Sequence, residues 1–203
     1  MKYDASQIET DWLQCLQQND DQALALIMKK YYSSLYNYGY RFLQDDGLIK
    51  DCIQEVFISL WQRRDNLKQI LSLKYYLLRA TKNKVLKCMH QANRSATPGR
   101  LNDEYDFFQE FSIEHIIIEK QISEEKAEKL KQTLCFLSKR QKEIIYLKYY
   151  QLMDHKQIAE LLNISSQSVY NLLHEAVQKL RNVWHAEFIT RLIIVVSMMS
   201  LLF

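Results

Sequence analysis

Glycine and proline are nearly missing, at three and one in 203 residues. Sheet folds turn often and lean on glycine at left-handed positions, so an all-β architecture is excluded and helices become the default. The same scarcity of glycine removes phosphate-cradling loops. The four cysteines, Cys15, Cys52, Cys88 and Cys135, lie far apart with no C-x-x-C pair. That spacing makes a disulfide framework and a zinc ribbon poor readings, and buried reduced thiols in a cytoplasmic protein fit best. The five histidines (His90, His115, His155, His174, His185) show no H-E-x-x-H or similar spacing. No catalytic group, metal site or cofactor is therefore expected, and the chain does not read as an enzyme. The first residues, Met1 to Asp11, are polar and acidic, unlike a secretory signal.

What is present is charge in blocks. The formal net charge of +3 conceals two basic lobes. Residues 1–100 carry 15 basic and 10 acidic groups, and residues 126–203 carry 11 and six. Between them, residues 101–125 hold eight acids and one base. Two basic lobes around an acidic connector suggest polyanion binding at two places. Helical periodicity runs from about Ile8 to His90, with breaks expected near Asn19-Asp20, Asp45-Asp46-Gly47 and Asn66 to Ser72. The strongest punctuation, Asn93 to Arg100 with Pro98-Gly99, should end the first domain. The expected architecture is all-α: a helical bundle over 1–94, an acidic linker over 95–125, a helix-turn-helix domain over 126–187 and an apolar tail over 188–203. After Arg191 only twelve residues remain, about 18 Å as a helix against a bilayer core of about 30 Å. Two readings of the tail stay open: a helix packed on the second domain or a partner, or partial membrane contact.

Three surfaces carry the functional signal. Lys156 to Arg181 reads as two short helices around Asn163-Ile-Ser165. Ala159 permits a close crossing, Asn163 tolerates a left-handed backbone, and Ser165 can cap the second helix. Such a second helix can enter a DNA major groove. On a helical wheel Val169, Leu172, Leu173, Ala176 and Leu180 form its buried side. Gln167, Asn171, His174 and Gln178 lie opposite, flanked by Ser168 and Glu175, and their amides can pair with adenine edges. Phosphate contacts must come from the flanks, namely Lys139, Arg140, Lys142, Lys156, Lys179 and Arg181. The second surface, Lys68 to Arg94, holds seven basic residues, no acid, and Tyr75 and Tyr76. Cations beside aromatic rings suit single-stranded DNA. The third lies on Gly47 to Gln62, where Ile49, Cys52, Ile53, Val56, Phe57, Leu60 and Trp61 form a core stripe. Asp51, Gln54, Glu55 and Ile58 face the other way, a surface suited to a protein partner with basic side chains.

These segments carry a resemblance. Asp51-x-x-Gln54-Glu55-Val56-Phe57-x-x-Leu60-Trp61 resembles region 2 of sigma-70-type initiation factors. Leu137 to Lys148, followed by the helix-turn-helix, resembles region 4. With these two regions and a short connector, the chain looks like an extracytoplasmic-function (ECF) sigma factor of the Bacteroidetes type. The resemblance implies a cytoplasmic subunit that binds core RNA polymerase and promoter DNA and directs promoter recognition and melting. It implies a membrane-bound anti-sigma factor as a further partner. Asp51, Gln54, Glu55 and Ile58 would contact polymerase. Tyr75, Tyr76, Arg79, Lys82, Asn83 and Lys84 would melt and read the −10 element, and the Leu67–Ser72 loop would capture a flipped base. Gln167, Ser168, Tyr170, Asn171, His174, Gln178 and Lys179 would serve the −35 element. The acidic connector would thread a polymerase channel. The recognition helix departs from the family pattern, with Tyr170, Leu172, Glu175 and Val177 where basic residues are frequent. A stand-alone DNA-binding regulator would use the same helix-turn-helix, but would leave the other two surfaces without a task.

Overall fold

The computed structural model describes residues 5–70, 72–96, 107 and 134–183. Most of the acidic connector, residues 126–133 and the apolar tail lie outside the described residues. Contacts divide the chain into two compact units, Met1–Asp106 and Phe107–Phe203.

The first unit contains α1 (Ala5–Gln17), α2 (Asp21–Tyr40), α3 (Asp46–Gln62), a 3-10 segment (Arg64–Gln69) and α4 (Leu73–Ala96). Its helix starts follow from local chemistry. The Asp20 side chain accepts from the Gln22 amide at 2.9 Å to open α2, and Asp45 accepts from Leu48 at 3.0 Å to open α3. Asn19 joins α1 to α2 with φ 63°, a left-handed conformation that asparagine tolerates. α2, α3 and α4 pack against one another around Leu35, Tyr38, Phe42, Ile49, Ile53, Leu60, Leu77 and Leu78, all essentially inaccessible. Gly39 matters to this packing. A Cβ there would stand 3.3 Å from Ile49 Cδ1 and 3.6 Å from Thr81 Cγ2, so its absence lets α2 approach both neighbours. α4 runs to Ala96, slightly beyond the break expected from Asn93 onward. Helix ends tolerate polar residues such as Asn93 and Ser95, and Pro98 is the first true breaker.

The second unit contains α5 (Lys139–Ile145), a π-helical turn (Tyr146–Tyr150), α6 (His155–Leu162) and α7 (Ser166–Val183). Leu134, Leu137, Ile145 and Ala176 form a core, with Tyr149, Leu173, Val177 and Leu180 packed against it. Phe107 is buried against Tyr146, with ring centroids 5.9 Å apart. Ser138 with Gln141, and Asp154 with Gln157, form reciprocal capping boxes that start α5 and α6. The second helix of the helix-turn-helix is long rather than short, because no breaker occurs between Ser166 and Val183.

The cysteines are less uniformly buried than expected. Cys52 is buried, Cys15 and Cys88 are half-buried, and Cys135 is exposed rather than buried. All four are free, with the Cys52 and Cys88 sulfurs 3.4 Å apart.

Candidate nucleic-acid interface

The turn between α6 and α7 is built by two side chains and one backbone conformation. Asn163 adopts φ 53° and ψ 49°. The Ile164 amide then reaches back to the Ala159 carbonyl at 3.0 Å, closing α6. Ser165 Oγ accepts from the Ser168 amide at 3.0 Å, opening α7. Ala159 is buried at the crossing. Each of these steps follows from the Asn163-Ile-Ser165 spacing.

α7 presents Gln167, Tyr170, Asn171, His174 and Gln178 to solvent, with Ser168 half-buried. These side chains are organised among themselves. Gln167 Nε2 donates to Asn171 Oδ1 at 2.9 Å, and the Tyr170 ring, 55% exposed, lies parallel to His174 with centroids 6.3 Å apart. The result is a strip of amides and rings without a cation from Ser166 to Gln178. Lys179 is turned to the flank, where its ammonium donates to Gln141 Oε1 at 3.1 Å. Gln141 Nε2 in turn donates to Glu175 at 3.1 Å, so this acid too is engaged toward α5. Gln141 is itself buried and also accepts from the Ser138 amide. The Ser138-x-x-Gln141 spacing signals its capping role, but its bridging of Glu175 and Lys179 across 34 and 38 residues has no local signal.

In the first unit, α3 exposes Asp51, Gln54, Glu55 and Ile58, the last 53% accessible. A large apolar side chain ringed by acids and amides suits a protein partner. α4 carries the other predicted residues, and they divide. Tyr75 and Tyr76 are half-buried near its start, and Arg79 and Asn83 are exposed. Arg79 Nη1 donates to the Tyr75 hydroxyl at 3.2 Å, joining cation and ring. Lys82 is placed differently, at 5% exposure on the packed face with Leu78 and Val85. Its ammonium lies 5.7 Å from the Phe42 ring centroid. The helical phase explains the placement: one residue in a basic strip lands on the inner face whatever its charge. Lys84 is paired with Glu55 of α3, linking the two surfaces that the sequence presents as separate. That hydrogen bond raises the Lys84 pKa.

The fold and these faces define a helical protein with a helix-turn-helix in one unit and an aromatic, basic helix in the other. Comparison with known proteins narrows this class. The "Sigma-70 region 2" family matches residues 27–95, and "Sigma-70, region 4" matches residues 127–180. CnrH, solved in complex with the cytosolic domain of CnrY, superposes with a TM-score of 0.56 at 17% identity, covering 90% of this chain and 99% of CnrH. The sigma factor RpoE from Bartonella quintana, solved with the anti-sigma factor NepR, gives 0.53 at 16% identity, covering 83% and 98%. At such identities the likeness is one of fold. No curated protein matches the sequence. The chain belongs to the sigma-70 family, and its pairing of regions 2 and 4 is that of the ECF sigma factors.

Proposed function

We propose that this chain is a dissociable initiation subunit of bacterial RNA polymerase, of the Bacteroidetes ECF type. It binds the core enzyme, brings it to promoters and helps separate the strands, while the polymerase carries the chemistry. The observation that supports this most is the order of the two family regions, each on a separately packed helical unit whose exposed residues suit its task. In this reading the domains are 1–94, 95–125, 126–187 and 188–203. The α3 face with Asp51, Gln54, Glu55 and Ile58 meets polymerase. Tyr75, Tyr76, Arg79, Asn83 and Lys84 act at the −10 element. Lys84 does so once it exchanges Glu55 for a phosphate. Gln167, Ser168, Tyr170, Asn171, His174 and Gln178 read the −35 element, with Lys179 at its edge.

The cation-poor strip on α7 makes region 4 a weak grip in isolation, since phosphate neutralisation supplies most DNA affinity. Binding therefore depends on the polymerase-bound state. RpoE was solved with an anti-sigma factor and CnrH with the cytosolic domain of CnrY, which supports an anti-sigma partner here. No helix among the described residues is long and apolar enough to cross a membrane. A cytoplasmic location follows from the proposed role.

The test is reconstitution. Purified chain and core polymerase are expected to initiate transcription at a subset of genomic promoters, mapped by their transcript starts. Ile58→Asp and Glu55→Arg should each weaken association with core polymerase at least tenfold and leave helix content unchanged. Failure of the unaltered chain to bind core polymerase would overturn the proposal.

A further inference from the structure

α4 begins badly by its own sequence. Its first turn, Leu73-Lys74-Tyr75, contains no acid, and Lys74 sets a cation at the positive end of the helix. Local capping is partial. Ser72 Oγ accepts from the Tyr75 amide at 3.3 Å, and the Ser72 carbonyl accepts from Tyr76 at 3.1 Å. The Leu73 amide is left over. It is taken by Glu9 Oε2 at 3.1 Å, from a residue 64 positions earlier on α1. The other carboxylate oxygen, Oε1, accepts from the hydroxyl of Tyr31, a buried residue of α2. Tyr31 is thereby held protonated well above the ordinary tyrosine range, by burial first and by Glu9 second. Lys74 is half-buried. Burial lowers its pKa, and the charge of Glu9 opposes that shift.

One carboxylate thus caps α4, complements its dipole, offsets Lys74 and ties the junction to α2. α1 also packs on the 3-10 segment Arg64–Gln69 that leads into α4. The region 2 match begins at residue 27, so α1 lies outside it. The contact holds the Leu73 amide at the start of α4, two and three residues before Tyr75 and Tyr76.

We infer that Glu9 is a positioning residue for strand opening, holding the tyrosine-bearing start of α4 in the orientation that receives unpaired bases. This rests on the proposed function. A base that must stack on Tyr75 or Tyr76 gains full contact only if the rings are set before it arrives. Freed from Glu9, the first turn frays, and ordering it again is added to the cost of melting.

The experiment compares the unaltered chain with Glu9→Ala, Glu9→Gln and Tyr31→Phe, each assembled with core polymerase. Opening of a closed promoter is followed by 2-aminopurine fluorescence, and the rate of initiation on it is compared with that on the same promoter carrying a pre-melted bubble. Glu9→Ala should open the closed template about tenfold more slowly, the scale of one charge-assisted hydrogen bond. On the bubble its defect should shrink to about twofold or less. Glu9→Gln keeps one oxygen acceptor and should recover part of the rate, and Tyr31→Phe should show the mildest loss. Affinity for core polymerase should not change, and amide exchange should quicken at Leu73 to Tyr76. Unimpaired opening by Glu9→Ala would overturn the inference, as would an equal loss on both templates or in core affinity. If Glu9→Ala fails to fold, Glu9→Gln and Tyr31→Phe decide by the same closed-to-bubble ratio. Absence of initiation by the unaltered chain on any template is a different result, and defeats the proposed function itself.

Discussion

Replacing Gln141 by methionine isolates the contribution of one buried amide to the DNA-reading unit. The two side chains have similar volume, so the exchange removes polar contacts with little change in packing. Three contacts disappear: acceptance from the Ser138 amide, acceptance from the Lys179 ammonium and donation to the Glu175 carboxylate, each at 3.1 Å. The first is half of a capping box, worth about 1 kcal/mol. The other two involve charges and would reach about 1.5 kcal/mol each in a dry site, but Lys179 and Glu175 are exposed and can turn to water. Together the loss should be about 2 kcal/mol, or about 30-fold in an opening equilibrium. Hydrogen exchange of the full chain reads it directly. Amides in Lys139–Ile145 and Ser166–Val183 should exchange about 30-fold faster, while those in α2 and α3 serve as an unchanged internal reference. Lys179→Met and Glu175→Gln should each produce less than about a fivefold change. Unchanged protection of α5 and α7 in Gln141→Met would refute the claim that this amide fixes their packing.

Three further outcomes are expected. Asn163→Ala should cost about 1 kcal/mol at φ 53°, and Asn163→Gly much less, by thermal denaturation; equal losses would remove the backbone as the cause. Hydrogen bonds from Lys50 and then Tyr36 hold the Asp46 carboxyl below the usual range, so its stabilising effect is present above the unfolded-state pKa and fades as pH falls through the folded value. The melting-temperature gap between the unaltered chain and Asp46→Asn should therefore narrow from about pH 5 to about pH 3, and a constant gap would contradict this. Burial, and then Cys88, push the Cys52 thiol up to about 12. Peptide mass spectrometry after iodoacetamide treatment at neutral pH should find exposed Cys135 alkylated well before Cys52, and equal rates would count against that environment.

Short-range signals made much of this molecule legible. Sparse glycine and proline, with apolar residues at helical spacing, fix the helices. Asp20, Asp45, Asn163 and Ser165 start or stop elements through bonds to residues a few positions away, so their identities suffice. The region 2 and region 4 motifs are likewise contiguous runs. The α3 stripe from Ile49 to Leu60 is buried as its period requires. Individual side chains in the basic strip are another matter. Lys82 and Arg79 are chemically alike in the sequence, yet one is packed by Phe42 and the other lies in solvent beside Tyr75.

Sequence alone therefore determined the helices, the turn of the helix-turn-helix and the family, because each depends on residues within a few positions of one another. Tertiary structure alone decided which lysine is inside, that Glu55 meets Lys84, that Gln141 joins α5 to α7, and that Glu9 caps α4. Those contacts join residues 29 to 64 positions apart. They are made by side chains whose partners are chosen by how helices pack, and helix packing is set by the whole buried core rather than by any local run.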